Sequence, residues 1–169
     1  MTFIKILINL AFGCLLYLQS APGMEAPKKD KTVLYVKEIS GSKIPGFLKL
    51  LSYPRNEHQK KYKLKYLNAK KQSIGYCQFY YYDNNKTGCI DMLYISTDYR
   101  NKACGSVLLQ NAQNELLAKD VIKIIVMAVP DKDKEVADLV RFYSRCGFKV
   151  KEYRGNYAKM KYKNPKTIT

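Results

Sequence analysis

Positions 93 to 106 read Leu-Tyr-Ile-Ser-Thr-Asp-Tyr-Arg-Asn-Lys-Ala-Cys-Gly-Ser, an apolar strand-like segment, a turn of small residues and the start of a helical pattern. Small side chains at Ala103, Gly105 and Ser106 let backbone N–H groups approach an anion, and a helix N-terminus beyond them adds roughly half a positive charge. Arg100 and Lys102 add full charges with directional donors. Such a turn supports phosphate binding. Strand, turn and helix with one glycine and two basic residues also occur for packing reasons alone, so this stretch does not decide the matter by itself.

A second stretch, Arg141-Phe142-Tyr143-Ser144-Arg145-Cys146-Gly147-Phe148, carries a phenol able to hand over a proton. By periodicity alone Tyr143 reads equally as a core aromatic on the apolar side of a helix. Asp91 stands two residues before Leu93, so an alternating strand puts both on one face, where the carboxylate serves as a base or as a solvent-facing acceptor. His58 sits among polar neighbours and reads as solvated. The run Gln78-Phe79-Tyr80-Tyr81-Tyr82 alternates its rings as any strand does. The cysteines Cys14, Cys77, Cys89, Cys104 and Cys146 show no CxxC spacing, and with one histidine they leave too few soft ligands for an ordinary zinc site, so no metal is expected. The four beyond Cys14 lie in apolar stretches and read as small buried hydrophobes.

Together the two stretches resemble motifs of the GNAT N-acetyltransferases. The segment YRNKACGSVLL is similar to that family's pyrophosphate-binding loop, an Arg or Gln, two residues, a Gly, one residue, then Gly or Ala. Arg100 and Gly105 match its outer positions, while Ala103 replaces the middle glycine. If that position needs a positive φ, alanine costs about 1 kcal/mol or more. Phe142 to Phe148 is similar to the family's FYxxxGF element, although Val136 and Leu139 replace an asparagine and an alanine often found before that tyrosine. The likeness covers Ile74 to Phe148 and extends by strand order to most of Thr32 to Tyr162.

The resemblance implies acetyl-CoA as acyl donor without a metal, and direct attack by a primary amine in a ternary complex. It places pantetheine on the backbone of Leu93, Tyr94 and Ile95, where the fourth and fifth strands splay apart, and the pyrophosphate on Arg100, Asn101, Lys102, Ala103, Cys104, Gly105 and Ser106. It assigns Tyr143 as the acid for the departing thiolate. Asp91 is the candidate base beside this cleft, and Cys89, another position on the acceptor side, reads as packed.

These residues need a scaffold, and periodicity supplies one. Thr32 to Ile39 is β-branched and apolar enough for a strand. Pro45 is expected to open a short helix holding Phe47, Leu48, Leu50 and Leu51. Tyr62, Leu64 and Tyr66 alternate with Lys61, Lys63 and Lys65 as in a half-buried strand. Ile74 to Tyr82 and Cys89 to Ser96 are expected to pair across Asp83-Asn84-Asn85-Lys86, whose Asx residues tolerate left-handed backbone. Gly105 to Lys119 has helical period, Val121 to Val129 reads as a buried strand, and a helix follows Pro130 to Asp133 with Gly147 as its C-cap. Phe148 to Tyr153 and Tyr157 to Tyr162 close with a hairpin. The expected fold is mixed α/β, a mostly antiparallel central sheet flanked by helices.

The 169 residues suit one domain, and 47% apolar content with 15 tyrosines suffices for a core. Residues 1–23 have the order of a signal peptide, 24–31 form a charged linker, 32–164 the domain and 165–169 a tail. The apolar run Ile6 to Leu18 is too short for a permanent membrane span. Export through this leader is one expectation, and a cytoplasmic protein starting at Met24 is the other. A charge of +16, from 30 basic against 14 acidic residues, attracts anions and disfavours polycationic acceptors, leaving neutral or acidic small-molecule or protein amines. Two further readings stay open, a catalytically inactive GNAT-like scaffold and a basic nucleic-acid-binding module. Lysines scattered along the whole chain argue against a nucleic-acid groove. A monomer or a homodimer is expected.

Overall fold

The computed structural model describes residues 31–39, 43–53, 55–130 and 135–167; the leader lies outside them. Eight strands form one sheet: β1 (Thr32–Ile39), β2 (Gly46–Tyr53), β3 (Gln59–Asn68), β4 (Ser73–Tyr82), β5 (Thr87–Ile95), β6 (Lys123–Ala128), β7 (Lys149–Arg154) and β8 (Tyr157–Lys163). Two helices accompany them, α1 (Cys104–Leu117) and α2 (Val136–Arg145). The order across the sheet is β1-β2-β3-β4-β5-β6-β8-β7. Every neighbouring pair is antiparallel except β5 and β6, which run parallel and are joined through α1, the crossover that parallel strands require. The expected mixed α/β fold is what forms.

One expected element is different. Phe47, Leu48, Leu50 and Leu51 belong to strand β2, not to a helix. Their spacing fits both periods, and long-range pairing decides: Leu48 stands opposite Tyr66 and Leu50 opposite Leu64, all buried. Pro45 precedes the strand, where its missing N–H costs no ladder bond. Five strands therefore come before the first helix.

On β3 the alternation holds, with Tyr62, Leu64 and Tyr66 buried. The hairpin at 83–86 also forms, but the positive φ falls on Lys86 and not on the Asx residues. Asp83 instead accepts hydrogen bonds from the Tyr81 hydroxyl (2.8 Å) and the Lys86 ammonium (3.0 Å).

Helix α1 packs on β3, β4 and β5, and α2 on β6, β7 and β8. Both lie on the same face. Leu116 of α1 sits over Gly88, Gly88 pairs with Ile124, Ile124 with Tyr162, and the Tyr162 ring lies against Gly147 at the end of α2. The helices also touch directly, through Gln113 Nε2 donating to the Cys146 carbonyl at 3.2 Å. Between helices and sheet lies one core, including Phe79, Leu108, Leu109, Phe148 and Met160. Among the described residues the other face of the sheet carries no helix, and no helix is long and apolar enough to cross a membrane.

Helix α2 ends as expected. Gly147 takes φ +86°, its N–H bonds the Ser144 carbonyl (3.0 Å) and the Phe148 N–H bonds the Tyr143 carbonyl (3.1 Å), the double bond of a Schellman cap. The rings of Tyr143 and Phe148 meet edge to face across it at 5.8 Å.

Candidate active site

Strand β5 pairs with β4 along its whole length, from Thr87 opposite Tyr82 to Ile95 opposite Gly75. Its pairing with β6 runs only from Thr87 opposite Lys123 to Ile90 opposite Val126. Beyond Ile90 the two parallel strands separate. The β6 side of the strand from Leu93 to Ile95 is thereby left without a strand partner among the described residues, and it is partly open to solvent. The expected splay is present, between the fifth and sixth strands because β2 adds one to the count.

Asp91 sits where the strands part. Ile90 pairs with Phe79 and Met92 with Gln78, so Asp91 is the extra residue of a β-bulge. Two-residue alternation does not carry across a bulge: Ile90 and Leu93 both face the helices although they are three apart. The expected shared face of Asp91 and Leu93 therefore does not follow from spacing, and the Asp91 carboxylate is exposed at the bend.

After β5 the chain makes a 3-10 turn, Thr97–Tyr99, and reaches the small-residue loop. Arg100 Nε donates to the Ile95 carbonyl at 3.2 Å, tying the loop to the strand end. Asn101 and Ala103 both adopt left-handed backbone, φ 59° and 63°. Left-handed residues in a turn point successive N–H groups into a shared concavity, an anion nest. The first helical bond of α1 runs from the Val107 N–H to the Ala103 carbonyl (3.1 Å), so the N–H groups of Cys104, Gly105 and Ser106 precede the ladder. Lys102 Nζ lies 5.7 Å from the centroid of the Tyr99 ring. The loop offers positive charge and N–H groups outside the helical ladder, and Ala103 has the positive φ considered for it.

The FYxxxGF stretch comes to the same place. A Cβ on Gly105 would stand 3.5 Å from Phe142 and 3.7 Å from Ile95, which is ordinary contact. Burial raises the Cys146 thiol, with Ser106 of α1 and the Arg145 charge acting against it. Tyr143 is 7% exposed and lies within electrostatic reach of Cys77, itself the cross-strand partner of Leu93. Burial first, with the Cys77 and Cys146 thiols adding to it, pushes the Tyr143 phenol far above its usual range, so it stays protonated and able to donate. Among the described residues it makes no hydrogen bond to a protein acceptor.

Other candidates stay outside. His58 is exposed, 3.4 Å from Glu57. Cys89 is half-buried, and burial followed by the Asp91 charge raises its thiol pKa, the reverse of an activated nucleophile. Cys77 and Cys104 are buried, and all four described cysteines are free thiols. Among the described residues no cluster of His, Cys, Asp and Glu is arranged to hold a metal. Sequence reasoning missed the left-handed Asn101, for which asparagine's tolerance of that region was the available signal, and the Gly105–Phe142 approach, for which there was none.

Comparison with known proteins gives the family and the fold. The family model described as "Acetyltransferase (GNAT) domain" matches residues 63–150. Among solved structures, the PaiA N-acetyltransferase of Thermoplasma acidophilum, in complex with coenzyme A, is 22% identical with a TM-score of 0.50, the match covering 60% of each chain. An acetyltransferase from Bacillus cereus is 16% identical with a TM-score of 0.53, covering 66% of this chain and 80% of that one. Nourseothricin acetyltransferase is 11% identical with a TM-score of 0.52, covering 81% and 89%. At these identities the structures share the fold. No curated protein is significantly similar in sequence.

Proposed function

Because the chain belongs to the GNAT acetyltransferase family, we propose that it transfers an acetyl group from acetyl-CoA to a primary amine by direct attack in a ternary complex. The observation that carries this reading is the parting of β5 from β6 beside an anion nest and beneath a buried, protonated phenol. The acyl donor supplies an activated thioester. The chain supplies the rest.

The nest at Asn101 to Ser106 and the charges of Arg100 and Lys102 take the pyrophosphate, while the edge of β5 at Leu93, Tyr94 and Ile95, apart from the Ile95 carbonyl held by Arg100, offers hydrogen bonds to the pantetheine amides and to the oxygen that gains charge. Tyr143 holds its proton for the departing sulfur. Asp91, at the bulge on the acceptor side, takes the proton lost by the amine, directly or through water. The basic surface favours neutral or acidic amines as acceptors. Export by the leader is proposed as its role, with translation from Met24 as the competing possibility.

Ala103 at φ 63° supports a second reading, a scaffold that binds the donor without turnover. Thermal unfolding with acetyl-CoA, followed by a thiol-release assay over an amine panel, separates the two. Ligand at about 100 times its Kd adds roughly 2.7 kcal/mol. A raised midpoint with amine-dependent thiol release supports the enzyme, a raised midpoint without release supports the scaffold, and no shift sinks both.

A further inference from the structure

The alternation that buries Tyr62, Leu64 and Tyr66 turns Lys61, Lys63 and Lys65 toward the sheet face that carries no helix. Pairing extends this face across the molecule. Lys61 stands opposite Tyr80, Tyr80 opposite Cys89, Cys89 opposite Ile125 and Ile125 opposite Lys161, and residues directly opposite share a side. A neighbouring row sets Lys65 beside Tyr76 and Tyr76 beside Tyr94. On β8, Lys159 and Lys163 flank Lys161 on the same side, with Lys163 opposite Lys123. Strands β3, β4, β6 and β8 contain no aspartate or glutamate. Lysines dispersed along the chain are thus gathered on one surface, which their spread in sequence had argued against.

Glu152 stands opposite Lys159 and Asp91 lies at the β5 bulge, while the remaining ammoniums crowd one another. Lys63 is held below the usual lysine range by partial burial and then by the Lys65 and Lys61 ammoniums. Lys161 is lowered in the same way by partial burial and then by Lys123, Lys163 and Lys151. An arriving anion relieves this repulsion.

Aromatic rings lie between the ammoniums. Tyr76 and Tyr94 have centroids 5.5 Å apart, and Tyr94 is 46% exposed. Lys63 Nζ lies 3.8 Å from the centre of the Tyr76 ring and Lys61 Nζ 5.5 Å from that of Tyr80. Anionic lipid and acidic peptide ask only for the charge, whereas rings interleaved with cations also suit unstacked bases beside phosphates. A duplex hides its base faces, so the fit is to a single strand.

We propose that the helix-free face binds single-stranded nucleic acid, with phosphates on the lysines of β3 and β8 and bases on the tyrosines of β4 and β5. The proposal does not depend on acetyl transfer; its one shared residue is Tyr94, whose backbone the proposed donor site uses, and the tyrosines tested are those of β4. The test is fluorescence anisotropy of the full chain with a labelled oligouridylate of about 16 nucleotides, from about 50 to 200 mM salt. If about three to five lysines engage phosphates, the log–log salt slope is about −2 to −3.5.

Combined Lys61→Gln, Lys63→Gln and Lys65→Gln weakens binding at least about tenfold and flattens the slope. Tyr76→Ala with Tyr80→Ala weakens it at least about fivefold and leaves the slope alone. Thermal melts check that each variant folds, and Lys159→Gln with Lys161→Gln on β8 stands in if the β3 set does not. No binding at the lowest salt overturns the proposal. So does wild-type affinity in the tyrosine variant, or equal affinity for polyglutamate (an acidic protein partner) or phosphatidylserine vesicles (a membrane surface).

Discussion

The ring of Phe142 lies 3.5 Å from the point that a Cβ on Gly105 would occupy, so the first turn of α1 and the middle of α2 meet over the end of β5. A methyl group there makes only ordinary contact, and alanine is the better helix former by roughly 0.5–1 kcal/mol. The fold therefore has no need of this glycine. Gly105→Ala is expected to raise Tm by about 2–4 °C per kcal/mol gained, with acetyl-CoA affinity in a calorimetric titration little changed, since the loop motif takes Gly or Ala at this position. A marked loss of affinity would mean that the ligand, and not the fold, requires the glycine.

Ala103 bears left-handed strain of about 1–2 kcal/mol. Glycine removes that strain but loosens the unfolded chain by about 0.4–1 kcal/mol. Ala103→Gly is thus expected to stabilise by about 0.5–1 kcal/mol, read from denaturant midpoints at constant m. A loss of stability would show that the loop does not hold φ 63° in solution.

Tyr143→Phe keeps the ring packed against Phe142 and Phe148 and removes only the proton donor. Turnover should fall by about 10²-fold or more, with acetyl-CoA Kd nearly unchanged. Single-turnover rates give the first quantity and equilibrium titration the second. An intact chemical step would return Tyr143 to the core.

Arg100 and Lys102 should separate on substitution. Lys102 contributes charge, so Lys102→Ala is expected to weaken the donor about two- to fivefold, more at low salt, with Tm unchanged. Arg100 also latches the loop through the Ile95 carbonyl. Arg100→Ala should weaken binding further and lower Tm as well, which paired melts and titrations would record. Identical behaviour of the two variants would deny the latch.

Alkaline stability follows from buried groups that resist ionisation. Burial, then the Asp91 charge, raises the Cys77 thiol; burial, then the hydrogen bond to Glu115, raises Tyr35; and burial raises Tyr143. The unfolded chain gives up these protons first, so their contribution is complete below about pH 8 and falls as pH rises through and beyond the ordinary thiol and phenol range. Urea midpoints should be flat with respect to these groups up to about pH 8 and decline above about pH 9. Cys77→Ala should make that decline shallower, and a slope unaffected by it would remove Cys77 from the account.

Local pattern carried much of this structure. Lys61 to Tyr66 announced β3, Leu108, Ala112 and Leu116 announced α1, and Gly147 announced the end of α2, because each is decided by neighbours within a few residues. The small-residue loop was legible for the same reason, down to the strain at Ala103. Pairing between distant strands was not. Leu48 and Leu50 became strand because Tyr66 and Leu64 lay opposite them. Asp91 lost its assumed face because β4 is one residue shorter at that point than β5. The lysines of β3 and β8 share a surface only because β5 and β6 bridge them.

That bridge is short. With β1 to β5 and α1 on one side and β6 to β8 and α2 on the other, the sheet is mechanically two plates. Besides the shared core and the Phe142–Gly105 contact, their polar welds are the brief ladder from Thr87 to Ile90, the bond from the Ile122 N–H to the Lys86 carbonyl and the Gln113–Cys146 bond. A body built this way yields at its thinnest weld, and an occupant lodged in the gap acts as a rivet. Amides on both lips of the gap, in β5 and β6, should therefore exchange hydrogen most readily when it is empty and slow together when it is filled.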